Sequence, residues 1–387
     1  MPPTKDRPTI AVDARSLVGP PTGIGVFTLS MLKALAERGA VRCLGMAHRE
    51  LSCAEELQRE GVELETRSAP SGVWWQQLTL PGRLAAPDID LFWSPLLTLP
   101  VRNPVPSVVT IHDLTPLILP EAHRLKVRLS FLPFLGSTVR QARRIAVDSK
   151  ATAKDVEEHF PDSMSRIQVV YPGIDPVFVP GDPEAIAATR EDLSCPRGYL
   201  LYSGTLEPRK NLPILLDAWE TLASSSAGSL PLVITGPYGW KSRGLAARIE
   251  QLRPLGLQYL GRLPRSRQVE IMQAASIFAY PSLYEGFGLP AAEAMACGIP
   301  TIVSDRSSLP EVVGEAGVQF SPDDVGRLRE AIAELASDPV LSSELGQRGL
   351  ERAKRFTWAQ AAGEMEEIFL ETLATSRPAT AKGLEAK

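Results

Sequence analysis

Two carboxylates eight positions apart, Glu285 and Glu293, stand in the segment Tyr-Pro-Ser-Leu-Tyr-Glu-Gly-Phe-Gly-Leu-Pro-Ala-Ala-Glu-Ala-Met-Ala-Cys-Gly-Ile-Pro, residues 280–300. A carboxylate accepts two hydrogen bonds at once, which suits a sugar or ribose hydroxyl. Between the two, Gly286, Phe287, Gly288 and Leu289 lead into a helix that opens with Pro290 in its first turn and closes at Gly298 before Pro300. Glycines ahead of a helix N-terminus leave backbone N–H groups facing outward, where the helix dipole favours negative charge. In physical terms that is a diphosphate site. The plainer alternative is a loop whose glycines only turn the chain, with Glu293 on a solvated helix face.

A second cluster, Ser203-Gly204-Thr-Leu-Glu-Pro-Arg209-Lys210-Asn211, follows an apolar strand and opens another helix. Arg209 offers a bidentate fork and Lys210 a point charge, both suited to phosphate oxygens. A solvated basic pair is the plainer reading. Thr235-Gly-Pro-Tyr-Gly239 and Gly261-Arg262-Leu-Pro264 are turns at strand ends, placed to wall a base. His112 closes an apolar strand in Ile111-His-Asp-Leu114, where a hydrogen-bonded structural histidine is the competing explanation.

Elements that hold such residues in place are legible from periodicity. Thr9–Asp13 reads as a strand, the stretch Val18-Gly-Pro-Pro-Thr-Gly23-Ile-Gly25 as a turn, and Phe27, Leu29, Met31, Leu32, Leu35 and Ala36 recur at helical spacing. Val41–Ala47, Ile89–Trp93, Ser107–Ile111 and Ile145–Ser149 are further strands. After a Pro/Gly-crowded break near Val177–Glu184 a second series follows: Tyr199–Ser203, Leu232–Thr235, Gln258–Leu260, Ile277–Tyr280 and Thr301–Val303. Helices are expected at Asn211–Ala223, Ser266–Ala275, Pro290–Ala296 and Trp358–Leu373, ahead of a polar tail, Ala374–Lys387. Alternating strands and helices give parallel sheets covered on both faces. Two doubly wound α/β halves, with ligands in a cleft at the carboxyl ends of both sheets, is the expected architecture.

Composition agrees. At 387 residues and roughly 150 residues per domain, two or three domains are expected, and the pattern of elements favours two. Forty-one Lys+Arg against 45 Asp+Glu leave a net charge of −4 and no global field for nucleic acid. No run of 18 apolar residues suggests a spanning helix, and MPPTKDRPTI lacks the apolar core of a secretory signal, so a cytoplasmic protein is expected. Cys43, Cys53, Cys195 and Cys297 are far apart, and His48, His112, His123 and His159 have no ligand spacing, so no disulfide framework and no metal are expected.

The block from Glu285 to Glu293 in EGFGLPAAEAMACGIP resembles the signature of retaining, nucleotide-sugar glycosyltransferases of family 4. The similarity continues through Ser304–Val312, Gly314–Gly317, GTLEPRKN (204–211), YPGID (171–175), Ile111–Leu114 and the Gly23–Gly25 loop, from about residue 10 to residue 370. It implies a GT-B fold: an acceptor-side domain at 1–178, a nucleotide-sugar domain at 179–357, and a helix at 358–373 crossing back to the first. It implies that Glu285 lies by the donor sugar, that Glu293 holds the ribose, that Arg209 and Lys210 neutralise the departing diphosphate, and that His112 contacts the donor sugar. Gly23, Gly25, Gly204, Arg262, Gly286, Phe287, Gly288 and Leu289 would complete the donor site, with no cofactor and no metal. Some branches carry Arg directly after the glycine matching Gly204, whereas this chain has Thr205. GPPTGIG, HDLTPL and GTLEPRKN look most like the mannosyltransferase branch of bacterial polysaccharide assembly. That makes GDP-mannose the expected donor, UDP-glucose or UDP-N-acetylglucosamine the alternative, and a saccharide or lipid-linked sugar the acceptor.

From Glu121 to Lys150, seven Lys/Arg (Arg124, Lys126, Arg128, Arg140, Arg143, Arg144, Lys150) interleave with Leu125, Val127, Leu129, Phe131, Leu132, Phe134 and Leu135. Such a surface suits peripheral contact with an anionic membrane at its inner face; a helical pair packed on the sheet is the alternative. Trp74, Trp75 and Trp93 are expected at the N-terminal side of the cleft or in the core. Competing functions are a UDP-sugar isomerase, a non-catalytic sugar-nucleotide-binding subunit and an NAD-dependent oxidoreductase. The last is disfavoured because GIGVFT lacks the third glycine of GxGxxG.

Overall fold

Strands too apolar to face water on either side can only be covered on both, and the chain builds two sheets of this kind. A computed structural model describes residues 7–122, 125–225 and 230–376, without the side chains of residues 122–131. In the first sheet β1 (Thr9–Asp13), β2 (Arg42–Ala47), β3 (Glu63–Thr66), β4 (Leu91–Ser94), β5 (Ser107–Ile111), β6 (Arg144–Val147) and β7 (Ile167–Val169) are all parallel, in the order β3-β2-β1-β4-β5-β6-β7. In the second, β8 (Leu200–Ser203), β9 (Leu232–Thr235), β10 (Leu257–Gly261), β11 (Ile277–Tyr280), β12 (Thr301–Ser304) and β13 (Gly317–Phe320) run in the order β10-β9-β8-β11-β12-β13. Each order reverses direction once, beside β1 and beside β8. Loops diverge at such a switch point and leave room for a ligand at the carboxyl ends of the strands.

The interior strands stand where their apolar runs place them, and β1, β5, β9 and β11 are buried throughout. Three edge strands, β3, β7 and β13, carry no such run. Their sequences, Glu-Leu-Glu-Thr, Ile-Gln-Val and Gly-Val-Gln-Phe, are only partly covered, as edges are.

The chain divides into one unit of Met1–Gly173 with the segment from Trp358, and a second of Ile174–Thr357. The division after Gly173, rather than residue 178, has a local cause. The Ile174 N–H donates to Phe356 O (2.9 Å), and Phe178 is buried under Arg265, so residues 174–178 pack as part of the second unit.

The helix Trp358–Ser376 inserts Ala361, Ala362, Met365, Ile368 and Phe369 into the core built by Ile10, Val12, Phe27, Met31 and Trp93. It continues past Leu373 to Ser376, where the Thr375 and Ser376 hydroxyls donate back to the Glu371 and Thr372 carbonyls (2.9 and 2.7 Å). Ala374–Ser376 are therefore helical, and the rest of the expected tail lies outside the described residues.

Trp75 and Trp93 are core residues, the latter donating to Thr110 Oγ1 at 3.0 Å, while Trp74 stays 59% exposed. In the basic stretch, Leu135 and Val139 of the helix Leu125–Gln141 are buried against the sheet, Arg140 and Arg143 are exposed, and Arg144 lies 3.7 Å from Glu371. Leu132 packs partly against the same core and Phe134 is half-buried; the side chains of Arg124, Lys126, Arg128, Leu125, Val127, Leu129 and Phe131 are outside the described residues. Among the described residues no helix is long and apolar enough to cross a membrane.

Candidate functional site

In the second unit, β8 ends at Ser203 and the chain passes through a short 3₁₀ turn, Pro208–Lys210, before the helix Leu212–Ser225. Asn211 closes the turn with φ +51°, and its amide donates to Pro322 O at 3.0 Å. This turn aims the two cations inward, not into solvent. Lys210 is 8% exposed, and its Nζ lies 2.6 Å from Glu285 Oε1 and 2.7 Å from Tyr280 Oη. Arg209 Nη1 donates to Glu285 Oε2 (3.0 Å) and to Tyr284 O (2.7 Å), and Nη2 to Glu207 Oε1 (3.0 Å). The Ser282 hydroxyl completes the shell, donating to Glu285 Oε1 at 2.6 Å.

Glu285 is held by its backbone as well. Its N–H donates to Ser307 Oγ (3.2 Å), and the Ser307 and Ser308 hydroxyls donate to its carbonyl, Ser308 at 3.0 Å. Burial pushes the Glu285 carboxyl up, but Lys210, Arg209 and the Ser282 hydroxyl outweigh it and hold it at about 2. Burial and neighbouring Arg209 lower the Lys210 ammonium, which Glu285 counteracts. The result is a buried, fully ionised carboxylate between two cations.

From Gly286 the chain reaches Gly288 at φ +101°, the residue before the helix Leu289–Ala296. A side chain at 288 would be strained there, and its Cβ would come within 2.6 Å of Leu309. Phe287 is buried edge-on against Phe356 (5.1 Å), so its side chain belongs to the core and only its backbone can face a ligand. Gly286 and Gly288 are buried and Leu289 is half-buried. Glu293, one turn into the helix, has Oε1 3.0 Å from Arg265 Nη2; that nitrogen also lies 3.1 Å from Asp175 Oδ2. Burial raises the Glu293 carboxyl to about 6, with Arg265 opposing and Asp175 adding to the rise. Arg262 is exposed after β10 and joins neither charged group. Gly204 closes β8, its N–H donating to Thr235 O (3.0 Å). The position that cannot carry a side chain there is Gly236, at φ +124°, whose Cβ would fall 2.0 Å from the Gly204 carbonyl oxygen.

The first unit carries the remaining candidates at the ends of its strands. His112, just after β5, is bonded at both ring nitrogens: Nδ1 lies 2.7 Å from Asp148 Oδ2 and Nε2 2.9 Å from Pro95 O. Both partners are acceptors, an arrangement that favours the doubly protonated ring. Burial lowers its pKa, but the Asp148 charge and hydrogen bond more than offset this and raise it. Phe27 meets the imidazole edge-on at 4.7 Å. Gly23 sits at φ +37° before the helix Ile24–Arg38, with open space where a Cβ would point. Gly25 has a packing reason instead, since a Cβ would fall 2.7 Å from Ser16 O.

Several charged residues at these positions escaped the sequence reading. Asp13 at the end of β1 is fully buried and pairs with Arg15 Nη2 (2.6 Å), Asp148 orients His112, and Arg265 joins Glu293 to Asp175. Asp13 and Asp148 carry a usable signal, an acid closing an apolar strand of a parallel sheet. Arg265 has none, because Arg265 and its partners are distant in sequence.

Residues 190–352 match the family model described as Glycosyl transferases group 1, and residues 21–178 that described as Glycosyltransferase Family 4. O-antigen chain mannosyltransferase B of Escherichia coli is 30% identical over 358 residues, 88% of this chain and 93% of that protein. Serotype-specific mannosyltransferase WbdA of Escherichia coli is 28% identical over 301 residues, 75% of this chain and 36% of that protein. Among solved structures, Anabaena Alr3699/HepE in complex with UDP and glucose superposes with a TM-score of 0.76 at 19% identity, covering 94% of this chain and 100% of that one. Sucrose-phosphate synthase from Thermosynechococcus elongatus gives 0.73 at 20%, covering 96% and 100%. These likenesses identify the two doubly wound units as a GT-B fold.

Proposed function

The chain belongs to the group 1, family 4 glycosyltransferases, and on that premise we propose that it transfers mannose from GDP-mannose, with retention, to a saccharide or lipid-linked acceptor in surface polysaccharide assembly. The observation that carries the chemistry is the buried Glu285 carboxylate held between Lys210 and Arg209 beside the loop leading to Gly288. Pre-organised cations of this kind stabilise the negative charge that develops on a departing diphosphate without reorganising. In this reading Glu285 meets the donor sugar, Glu293 the ribose, and Arg209 and Lys210 the diphosphate. The bond from the anomeric carbon to phosphate breaks as the acceptor oxygen attacks the same face, and the departing phosphate takes the acceptor's proton. These cations do the work for which other transferases recruit a metal. Support for mannose comes from the likeness to the Escherichia coli O-antigen mannosyltransferase over 88% of the chain.

A thermal-shift and hydrolysis panel of GDP-, UDP-, ADP- and dTDP-sugars, run with and without EDTA, tests the donor. A ligand at about 100 times its Kd adds roughly 2.7 kcal/mol and shifts the transition clearly. GDP-mannose is expected to give that shift and slow GDP release, both unaffected by EDTA. A response confined to a UDP-sugar would overturn the donor and leave the enzyme class.

A further inference from the structure

Arg265 is the first residue of the helix Arg265–Gln273 and is fixed from three sides. Its guanidinium lies over the buried Phe178 ring at 4.4 Å. Its Nε and Nη2 both reach Asp175 Oδ2, at 3.3 and 3.1 Å, and Nη2 also reaches Glu293 Oε1 at 3.0 Å. Asp175 is itself anchored, its Oδ1 accepting from the Val177 N–H at 3.1 Å. Glu293 Oε2 has no hydrogen-bond partner among the described residues, so one oxygen of the carboxylate is committed to the arginine and the other is left over.

We propose that Arg265 is a positioning residue for the donor: clamped on Phe178 and Asp175, it fixes Glu293 and keeps it an ionised acceptor for the hydroxyls of the nucleotide ribose. This rests on the reading that Glu293 meets the ribose. The groups facing Glu293 are few. Arg265 faces it from the preceding helix and Asp175 from the segment entering the unit. One turn along its own helix, Cys297 is a buried thiol pushed up to about 12 and therefore neutral. Of these only Arg265 favours the carboxylate; burial and Asp175 both oppose it. With Arg265 in place the carboxyl titrates at about 6 and is ionised at neutral pH. Without it, the two remaining influences push the same way, and Glu293 takes up a proton at higher pH. A neutral carboxyl group loses one acceptor site to its own proton.

The test is the affinity of the full chain for GDP and for UDP, measured by calorimetry from pH 5 to 9, in the wild type, Arg265→Gln, Arg265→Lys and Glu293→Gln. Whatever slope remains in Glu293→Gln belongs to the nucleotide's own terminal phosphate and is the baseline. Above it, wild-type affinity is expected to hold at neutral pH and to fall about tenfold per pH unit below about pH 6. In Arg265→Gln the same fall begins about one unit higher, giving binding roughly tenfold weaker than wild type at pH 5, about twofold weaker at pH 7 and near wild type at pH 9. Arg265→Lys restores part of the shift and shows that the fold tolerates change at this position. An equal loss at every pH in Arg265→Gln, or no loss, overturns the proposal. So does a wild-type profile that matches Glu293→Gln, which leaves nucleotide binding itself intact. A folded wild type that binds neither nucleotide overturns the donor reading, and the proposal with it.

Discussion

Glu285 stays charged inside the protein because Lys210, Arg209 and Ser282 occupy its oxygens, and the same arrangement keeps the two cations buried. Removing one partner leaves the others uncompensated, which costs about 3–5 kcal/mol for a buried pair. Lys210→Ala is therefore expected to lower thermal stability and to cut turnover at least tenfold, about 1.4 kcal/mol of barrier. Turnover unchanged in a steady-state assay would remove Lys210 from the reaction. The acid limb of stability follows from the same group. Its folded pKa of about 2 lies below the ordinary 4.5, so its contribution is present above 4.5 and is lost as pH falls through about 2. Glu293 has the opposite sign. Raised from 4.5 to about 6, it favours the fold only where it is protonated, and that contribution is lost as pH rises through about 6. A residue that costs stability at neutral pH is expected where a site is built for a ligand.

Among the elements, the helix Trp358–Ser376 links the end of the chain to a core laid down near its beginning. Phe369 is fully buried, 5.7 Å from the Trp93 ring, and Trp358 lies 5.7 Å from Phe27. Ion pairs Arg38–Glu366 (3.1 Å) and Arg144–Glu371 (3.7 Å) flank this seam. Exposed pairs of this kind contribute little, so the apolar face dominates. Phe369→Ala is expected to destabilise the first unit by about 3–5 kcal/mol in chemical denaturation. A loss below about 1 kcal/mol would mean that the helix is not part of that core.

For the whole molecule, the second unit is one continuous stretch, Ile174–Thr357, whereas the first is made from two. The fragment 174–357 is therefore expected to fold alone with a cooperative melt and to bind a nucleoside diphosphate, since Glu285, Glu293, Arg209, Lys210 and Arg265 all belong to it. The complementary fragment 1–173 lacks Met365, Ile368 and Phe369 from its core and is expected to aggregate. A 174–357 fragment without a cooperative transition would show that the division is not a folding boundary.

By itself the sequence determined the interior strands, because residues such as Ile10, Val12, Val108, Val109, Phe278 and Ile302 must be buried on both sheet faces wherever they sit. It also determined the glycine-bounded helix at 289–296, since a loop ending at φ +101° tolerates little but glycine. The paired glutamates were legible as a motif for the same local reason. What the tertiary structure alone decided were the edge strands β3, β7 and β13, whose polar residues mark no period, and the fate of each charge. Arg209-Lys210 reads in sequence as a phosphate clamp or a solvated pair, and Lys210 lies buried only because a 3₁₀ turn aims it at a carboxylate 75 residues away. Asp148 orients His112 across 36 residues, and Arg265 reaches Asp175 across 90 and Glu293 across 28. Apolar burial is a property of one residue and its neighbours in sequence, whereas neutralising a buried charge needs a partner within a few ångströms, which only the folded chain supplies.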